Sequence, residues 1–234
     1  MISTNDLIGK FRHALDNNWG YIWGTAGVMW TKERQEQLNK TTDSNRAMSR
    51  KYGSKWIGHY VADCSGLFVW AFKQFGLEMS HISSNIFISY CDKKGKLTAD
   101  LKKTILPGTA VFTGDTERDH PHVGLYVGDV VIEAAGAKQG VITSKITDSK
   151  WKWYGQLKNV KYEGGDVPVP EGYAVVTGVR VALRSAPSTS AGVITRVDTG
   201  KKVKLEDPPP SEWDYVSYQG KTGWMMKKFL KEGE

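Results

Sequence analysis

The sequence has few cysteines: only Cys64 and Cys91 occur in 234 residues. They can form at most one disulfide, so the fold cannot depend on a disulfide framework. Neither cysteine belongs to a paired spacing of the kind that binds zinc, and the five histidines form no metal-ligand pattern. We therefore expect no metal and no organic cofactor.

Long apolar runs are also absent. No window approaches the length needed to cross a bilayer, so we expect no membrane-spanning helix. Residues 1–10, MISTNDLIGK, lack the charged start, apolar stretch and cleavage site of a secretory signal. Either a signal has been trimmed, or the protein leaves the cytoplasm by another route, which the initiator methionine favours.

Basic clusters are missing, although the formal net charge is +7. The lysines and arginines are scattered, with no basic helix, zinc finger or aromatic–basic platform. We therefore expect no nucleic-acid partner. The positive charge either attracts another polyanion or simply keeps the protein soluble.

The most informative stretch that is present is residues 63–67, DCSGL, which leads into the apolar run 67–72. The apolar run predicts a helix. A cysteine at a helix N-terminus lies at the positive end of the helix dipole, which favours the thiolate, the nucleophilic form of a cysteine hydrolase. The alternative is that Cys64 is a small buried core residue.

A candidate base for Cys64 lies in a predicted β-hairpin further along the chain. His122 begins the apolar run 123–127, and a second strand is predicted at 130–135 after a Gly-Asp turn. Side chains on one face of a hairpin are neighbours, so Glu133 can accept a hydrogen bond from one ring nitrogen of His122 while the other faces Cys64. Nucleophilic acyl transfer needs this set of groups, whereas a lone strand histidine is more often structural.

Four blocks of the chain resemble the NlpC-type cysteine peptidases of bacterial cell-wall turnover, and they follow one another in the order found in that family. The DCSGL run is similar to their nucleophile motif, and residues 122–128, HVGLYVG, are similar to their histidine strand. Residues 21–24, YIWG, and 106–112, LPGTAVF, resemble the blocks that precede these two. The resemblance extends over roughly residues 10–160.

This resemblance implies an α+β, papain-like cysteine peptidase domain with Cys64 as nucleophile and His122 as base. Glu133 takes the third catalytic position, where many members carry His, Asn or Gln. The candidate substrate-binding residues are Tyr21, which corresponds to a family tyrosine beside the cysteine, Asp63 and Ser65.

Further expectations concern the surroundings of the site. His120 competes with His122 as the base, but it precedes a proline and so falls in a loop or at the entrance of the strand. Residues 5–17 predict an amphipathic helix, and the polar insertion at 25–58 is expected to carry a helix near the cleft. Residues 151–155, WKWYG, either wall the cleft or seal the core, and we favour the core. Cys91 is expected to be a buried helical residue or a free surface thiol.

The last third of the chain has a different pattern. Glycine and proline at 164–172 predict a linker, and short β-type runs with turns between them follow, which is typical of a small barrel. Residues 173–234 resemble the bacterial SH3-like wall-binding domain, through LRSAPS at 183–188 and the tryptophans at 213 and 224. These tryptophans either pack in the core of the barrel or contribute to wall binding. For Trp224 we favour core packing, and for Trp213 both alternatives stay open. The insertion at 207–211 is expected to form an exposed polyproline-like loop.

The domain order is therefore a catalytic domain at 1–163, a linker at 164–172 and an all-β SH3-like barrel at 173–234. The resemblance implies a monomeric peptidoglycan hydrolase whose partners are the stem peptides of the bacterial wall. The bond cleaved is expected to join D-γ-glutamate to the diamino acid. Without a recognisable signal, release through a holin pore and an origin as a phage or prophage endolysin are hypotheses.

Three alternatives remain open. The protein could be a muramoyl-alanine amidase or an acyl transferase, both of which use the same Cys/His pair. It could also be a wall-binding protein that has the fold of the peptidase without its catalysis.

Overall fold

The computed structural model describes residues 1–162, 172–206 and 212–232. Of the expected linker at 164–172, only Gly172 is described, and the expected polyproline loop at 207–211 lies outside the described residues. The chain up to residue 162 contains helices and strands, and the chain from residue 172 is almost entirely β. This arrangement confirms the predicted fold class, an α+β region followed by a small all-β one.

Among the described residues, helices lie in the first region, apart from one short 3₁₀ turn at Lys227–Phe229. The α-helices in the described residues are α1 Thr4–Asp16, α2 Lys32–Asn39, α3 Ala47–Tyr52, α4 Cys64–Lys73, α5 Ser83–Tyr90 and α6 Leu101–Thr104, with further 3₁₀ turns at Ser44–Arg46 and Gly53–Trp56. α1 starts after Ser3, whose hydroxyl accepts the Asp6 N–H at 3.1 Å. α1 confirms the helix predicted over 5–17, and α2 the helix predicted in the polar insertion.

The first region is built on an antiparallel six-stranded sheet. The strands of the whole region are β1 Ile2–Ser3, β2 Ala26–Met29, β3 Tyr60–Ala62, β4 Cys91–Lys96, β5 Ala110–Phe112, β6 Val123–Tyr126, β7 Val131–Gly136, β8 Gly140–Ser144, β9 Trp153–Leu157 and β10 Val160–Lys161. The main sheet has the order β4-β9-β5-β6-β7-β8, while β1 pairs with β10 and β2 with β3. β6 and β7 are the two strands of the predicted hairpin.

Apolar layers cover both faces of this sheet. On one face α1 and α4 pack together, with the rings of Phe11 and Phe68 4.8 Å apart, and cover Leu125 and Ile132. On the other face a smaller cluster forms around Trp151. The packing of α4 against the sheet brings the first residue of this helix close to the start of β6.

The second region is a seven-stranded antiparallel sheet with its own core. The strands are β11 Tyr173–Val176, β12 Val181–Arg184, β13 Val193–Val197, β14 Lys202–Glu206, β15 Trp213–Tyr218, β16 Lys221–Met226 and β17 Leu230–Glu232, in the order β13-β12-β16-β15-β14-β11-β17. Its core includes Leu183, Val203, Val216 and Met225. The last strand had no counterpart among the sequence expectations.

The expected core position of Trp224 is wrong. Met225 is fully buried in the core, and because neighbouring residues of a strand face opposite sides, Trp224 faces away from it. Trp224 is half-buried and lies 5.1 Å from the ring of Tyr215. Trp213 is 9% exposed, yet it too lies outside the core cluster.

Cys91 was expected to be either a buried helical residue or a free surface thiol. It is buried, but it is the first residue of β4 and not part of a helix. Burial raises the pKa of its thiol to about 12. Both cysteines are free thiols. Within the described ranges, no helix combines the length and the apolar character needed to cross a membrane.

Candidate active site

Asp63 fixes the start of α4 and with it the position of Cys64. Its Oδ1 accepts a hydrogen bond from the Gly66 N–H at 2.7 Å, which caps the helix, and its Oδ2 accepts one from the Gly24 N–H at 2.7 Å. The Ser65 hydroxyl donates to Asp63 Oδ1 at 3.1 Å. Cys64 is thereby held as the first residue of α4, at the positive end of the helix dipole.

His81 completes the surroundings of Asp63. Its Nε2 lies 3.0 Å from Oδ2 and 3.1 Å from Oδ1 of that carboxylate. The hydrogen bond to Asp63 raises the pKa of His81, although burial opposes the rise. A Cβ at Gly66 would lie 1.9 Å from the Thr25 carbonyl oxygen and 2.8 Å from His81 Nε2, so this close packing requires glycine.

The β6–β7 hairpin brings His122 and Glu133 together. The register pairs Leu125 with Ile132, and its continuation places Gly124 opposite Glu133, with His122 next along the same face. His122 Nε2 lies 2.6 Å from Glu133 Oε2, and the Glu133 side chain is completely buried. The contact that the sequence predicted is present in the structure.

Gly124 keeps this face of the hairpin open. A Cβ at position 124 would lie 2.5 Å from Val131 Cγ1, 3.0 Å from Trp151 Cη2 and 3.3 Å from Glu133 Cβ. The missing side chain lets the Trp151 ring lie against the hairpin, where it stacks on His122 with the ring centroids 5.8 Å apart.

Lys150 is a second partner of Glu133. Its Nζ lies 2.6 Å from Oε1 and 2.8 Å from Oε2, so the ammonium group contacts both oxygens of the carboxylate. The same Nζ lies 4.6 Å from the centre of the Trp151 ring. Lys150 and Trp151 therefore pack against the His122–Glu133 pair, Lys150 on the carboxylate and Trp151 on the imidazole ring.

These contacts determine the charges of the pair. Burial raises the pKa of Glu133, but hydrogen bonds from His122 and Lys150 outweigh burial and lower this pKa to about 2. Burial lowers the pKa of His122, but hydrogen bonds with Cys64 and Glu133 outweigh burial and raise this pKa to about 9. His122 is therefore a cation at neutral pH, held between Cys64 and the carboxylate of Glu133.

Tyr21 is 9% exposed and lies within electrostatic range of Cys64 and Asp63. Burial, reinforced by the charges of Cys64 and Asp63, raises the pKa of its phenol far above the ordinary value. The hydroxyl group therefore keeps its proton and remains a hydrogen-bond donor.

A cleft of about 380 Å³ opens in front of Cys64. It is lined by Trp23, Gly24, Asp63, Cys64, Ser65, residues 81–84, His120 and Pro121. The Trp23 side chain is 41% exposed and forms an aromatic edge of the cleft. The cleft can therefore hold an extended chain against Cys64.

His120 also borders the cleft but is itself fully buried. Its Nδ1 lies 3.1 Å from the Thr113 carbonyl oxygen and its Nε2 3.1 Å from the Glu117 carbonyl oxygen. Both ring nitrogens are occupied by main-chain groups, so His122 and not His120 is placed to exchange a proton with Cys64.

The structure thus brings together four of the predicted site residues: Tyr21, Cys64, His122 and Glu133. Asp63 and Ser65 border the cleft, but hydrogen bonds tie both to the start of α4. Neither His81 nor Lys150 was indicated by the sequence, and for Trp151 a core position was favoured over one in the cleft wall. Trp151 is indeed buried, and it also packs on His122. Among the residues that the structure describes, no group of three or more His, Cys, Asp or Glu side chains is placed to hold a metal ion.

A helix that begins at a cysteine and packs on a sheet that carries a histidine is the arrangement expected of the α+β, papain-like fold class. The model of the NlpC/P60 family matches residues 33–157, and that of the bacterial SH3 domain matches residues 179–231. The first match covers more than half of the sequence, so the chain belongs to the NlpC/P60 family.

Solved structures with a similar fold include the P60 domain of an antigen from M. avium subspecies paratuberculosis, which is 18% identical, with a TM-score of 0.42 over 65% of this chain and 96% of that one. RipD of Mycobacterium tuberculosis, described as a non-catalytic NlpC/p60 protein adapted to peptidoglycan binding, is 17% identical, with a TM-score of 0.42 over 65% and 95%. The peptidoglycan hydrolase RipB of the same organism is 18% identical, with a TM-score of 0.40 over 66% and 67%. A search of curated proteins finds no match.

Proposed function

We propose that the protein is a peptidoglycan hydrolase, a cysteine endopeptidase that cleaves an amide bond of the stem peptide through a thioester. The observation that carries this proposal is the position of His122, whose Nε2 lies 2.6 Å from the buried Glu133 carboxylate and whose ring is close enough to Cys64 for that residue to raise its pKa. These are the nucleophile, base and orienting group of acyl transfer. Membership of the NlpC/P60 family supports the wall as the substrate.

In the first step the Cys64 thiolate attacks the carbonyl carbon of the scissile amide. The oxyanion that forms accepts hydrogen bonds from the backbone N–H of Cys64 at the start of α4 and from the Tyr21 hydroxyl. His122 carries its proton at neutral pH and gives it to the leaving amine.

In the second step His122, now neutral, takes a proton from water, and the resulting hydroxide attacks the thioester. The carboxylic acid product leaves and the Cys64 thiolate is restored. Glu133 keeps the imidazole ring oriented throughout, because its buried carboxylate stays ionised beside His122 and Lys150.

The resemblance of the motifs to the NlpC peptidases supports the bond between D-γ-glutamate and the diamino acid as the bond cleaved. In this proposal residues 1–163 form the catalytic domain and residues 173–234 hold the enzyme, as a monomer, on the bacterial wall. The match to a bacterial SH3 domain over residues 179–231 supports the anchoring role.

The first experiment is mass spectrometry of defined muropeptides incubated with the wild type and with Cys64→Ala. Cleavage after D-glutamate by the wild type alone would establish the reaction, the bond and the nucleophile together. A product cut at the muramoyl–alanine bond would indicate an amidase, and a product joined to an added amine would indicate an acyl transferase. Absence of any product from several wall types would contradict catalysis and leave wall binding.

Labelling with iodoacetamide at mildly acidic pH separates an active enzyme from a scaffold without a substrate. An ordinary thiol is mostly protonated there and reacts slowly, whereas a Cys64 thiolate paired with His122 reacts fast. Cys91 is an internal control, because it is 3% exposed and the pKa of its thiol is raised to about 12. Equal, slow labelling of the two cysteines would contradict the proposed nucleophile.

A further inference from the structure

A cavity of about 270 Å³ lies where the all-β region meets the turn between β6 and β7. Gly128 and Asp129 of that turn form one wall, and β12, β13 and β16 contribute to the other. The two regions touch here, because a Cβ at Gly128 would lie 3.2 Å from the Val179 nitrogen. The backbone φ of Gly128 is +104°, a conformation that favours glycine.

Three arginines give this cavity a positive charge: Arg180, Arg184 and Arg196. Backbone carbonyl groups hold two of the guanidinium groups, since Arg184 Nη1 donates to Ala191 O at 2.7 Å and Arg196 Nη1 donates to Arg180 O at 3.1 Å. These contacts fix the groups in place and leave their positive charges uncompensated.

No acidic group in the described part of the chain neutralises these arginines by an ion pair. The one carboxylate that lines the cavity, Asp129, pairs with Arg12 at 3.3 Å. Guanidinium groups bind carboxylate and phosphate groups through parallel hydrogen bonds, so the cavity is suited to an anion.

The rest of the wall is largely apolar and includes Val181, Met226 and Phe229, with Trp213 beside them. A ligand that fits must therefore carry a small apolar group next to its negative charge. The cavity is smaller than most small-molecule sites, which measure about 300–1,000 Å³, so it admits the end of a chain more readily than its middle. A polymer of alcohol phosphates also carries negative charge, but it has no apolar side chain to pack against this wall.

We propose that the cavity binds the C-terminal carboxylate of a peptidoglycan stem peptide, with the methyl group of the terminal alanine against the apolar wall. The proposal rests on the proposed function in taking the wall as substrate. Six residues of extended chain lead from His122 to Gly128, about 20 Å. The cavity therefore holds a different stem from the one at Cys64, and it orients the enzyme on the wall.

The test uses the full-length protein with Cys64→Ala, which binds without cleaving. The probe is Nα,Nε-diacetyl-L-lysyl-D-alanyl-D-alanine, titrated by calorimetry and by backbone NMR, and its C-terminal amide is the matched control ligand. Arg180→Gln with Arg196→Gln removes two exposed guanidinium groups. Lys201→Gln with Lys221→Gln removes the same charge from exposed positions of the barrel that do not line the cavity.

We expect the acid to bind at least 10-fold more tightly than the amide, with NMR shifts at the cavity. The arginine double variant should lose at least 10-fold in affinity, and the lysine double variant should not change. Equal binding of acid and amide, an unaffected arginine variant, or binding of glycerol phosphate in place of the peptide would overturn the proposal. Cleavage by the wild type is measured separately, so binding without cleavage would reject only the catalytic function.

Discussion

Lys150 and His122 hydrogen-bond to the same buried carboxylate, that of Glu133. A carboxylate that accepts hydrogen bonds from two cations stabilises each cation less than it would stabilise a single cation. Lys150 therefore limits how strongly Glu133 favours the protonated form of His122, while it compensates the buried charge of Glu133 itself.

Replacing Lys150 with Met should shift the alkaline limb of the pH–kcat/KM profile to higher pH. Glu133 then interacts with His122 alone, so the pKa of His122 rises above its present value of about 9. Profiles measured with a defined stem peptide test this expectation. Lys150→Arg should retain the wild-type limb, and Lys152→Met, which removes an exposed pair with Asp115, serves as the surface control. An unmoved limb in Lys150→Met would contradict the influence of Lys150 on His122.

Gly124→Ala should reduce both stability and activity. The added Cβ meets Val131, Trp151 and Glu133 at 2.5 to 3.3 Å, so the hairpin or the Trp151 ring must move. Overpacking of this kind costs about 1–3 kcal/mol of unfolding free energy. It also disturbs the stack on His122, so kcat should fall more than KM changes.

Gly9→Ala is the matched control for this experiment. Gly9 lies inside α1, and a Cβ there has no neighbour within 4 Å. The substitution should stabilise the helix by about 0.5–1 kcal/mol and leave activity unchanged. Urea unfolding and peptide cleavage measured on both variants compare the two glycines directly. Equal stability of Gly124→Ala and the wild type would show that the hairpin has room for a side chain.

The sequence was informative where the contacts are local. His122 and Glu133 belong to one hairpin, so the alternation of its strands was enough to place both side chains on one face. Lys150 reaches Glu133 from the segment before β9. Since β9 is not a neighbour of β7 in the sheet, strand pairing does not predict this contact. Only the folded sheet brings these two residues together. The sequence contained no feature that connected them.

Two other differences have a similar origin. The role of Asp63 in substrate binding stays a prediction, and the structure adds hydrogen bonds of its oxygens with Gly24, Gly66 and His81. The cap on Gly66 follows from an aspartate just before a helix, but the contacts to Gly24 and His81 are long-range. Trp224 was expected in the core because it is large and apolar, yet the register of its strand turns it outward.

Replacing Asp63 should separate helix capping from charge. Asp63→Ala removes the acceptor for the Gly66 N–H and should lower the free energy of unfolding by about 1–2 kcal/mol. Asp63→Asn keeps an oxygen for the cap but removes the negative charge, so the pKa of His81 should fall toward its ordinary value. Urea unfolding measures the first effect, and NMR titration of the imidazole ring measures the second. An unchanged His81 titration in Asp63→Asn would show that this carboxylate does not control it.

Stability should be greatest between pH 4.5 and pH 6.5. His122 titrates near 6.5 when unfolded and at about 9 when folded, so its contribution is complete below pH 6.5 and is lost as the pH rises through 9. Glu133 titrates near 4.5 when unfolded and at about 2 when folded, so its contribution is complete above pH 4.5 and is lost as the pH falls through 2.

Urea unfolding from pH 3 to pH 9.5 checks both limbs of this curve and assigns each to one residue. His122→Gln should flatten the decline above pH 6.5, and Glu133→Gln should weaken the decline below pH 4.5. Cys64→Ala removes one of the hydrogen bonds that raise the pKa of His122, so the alkaline decline should end at a lower pH than in the wild type. A decline of the same size in His122→Gln would mean that other groups cause it, and the imidazolium held between Cys64 and Glu133 would then not be a stabilising feature of the fold.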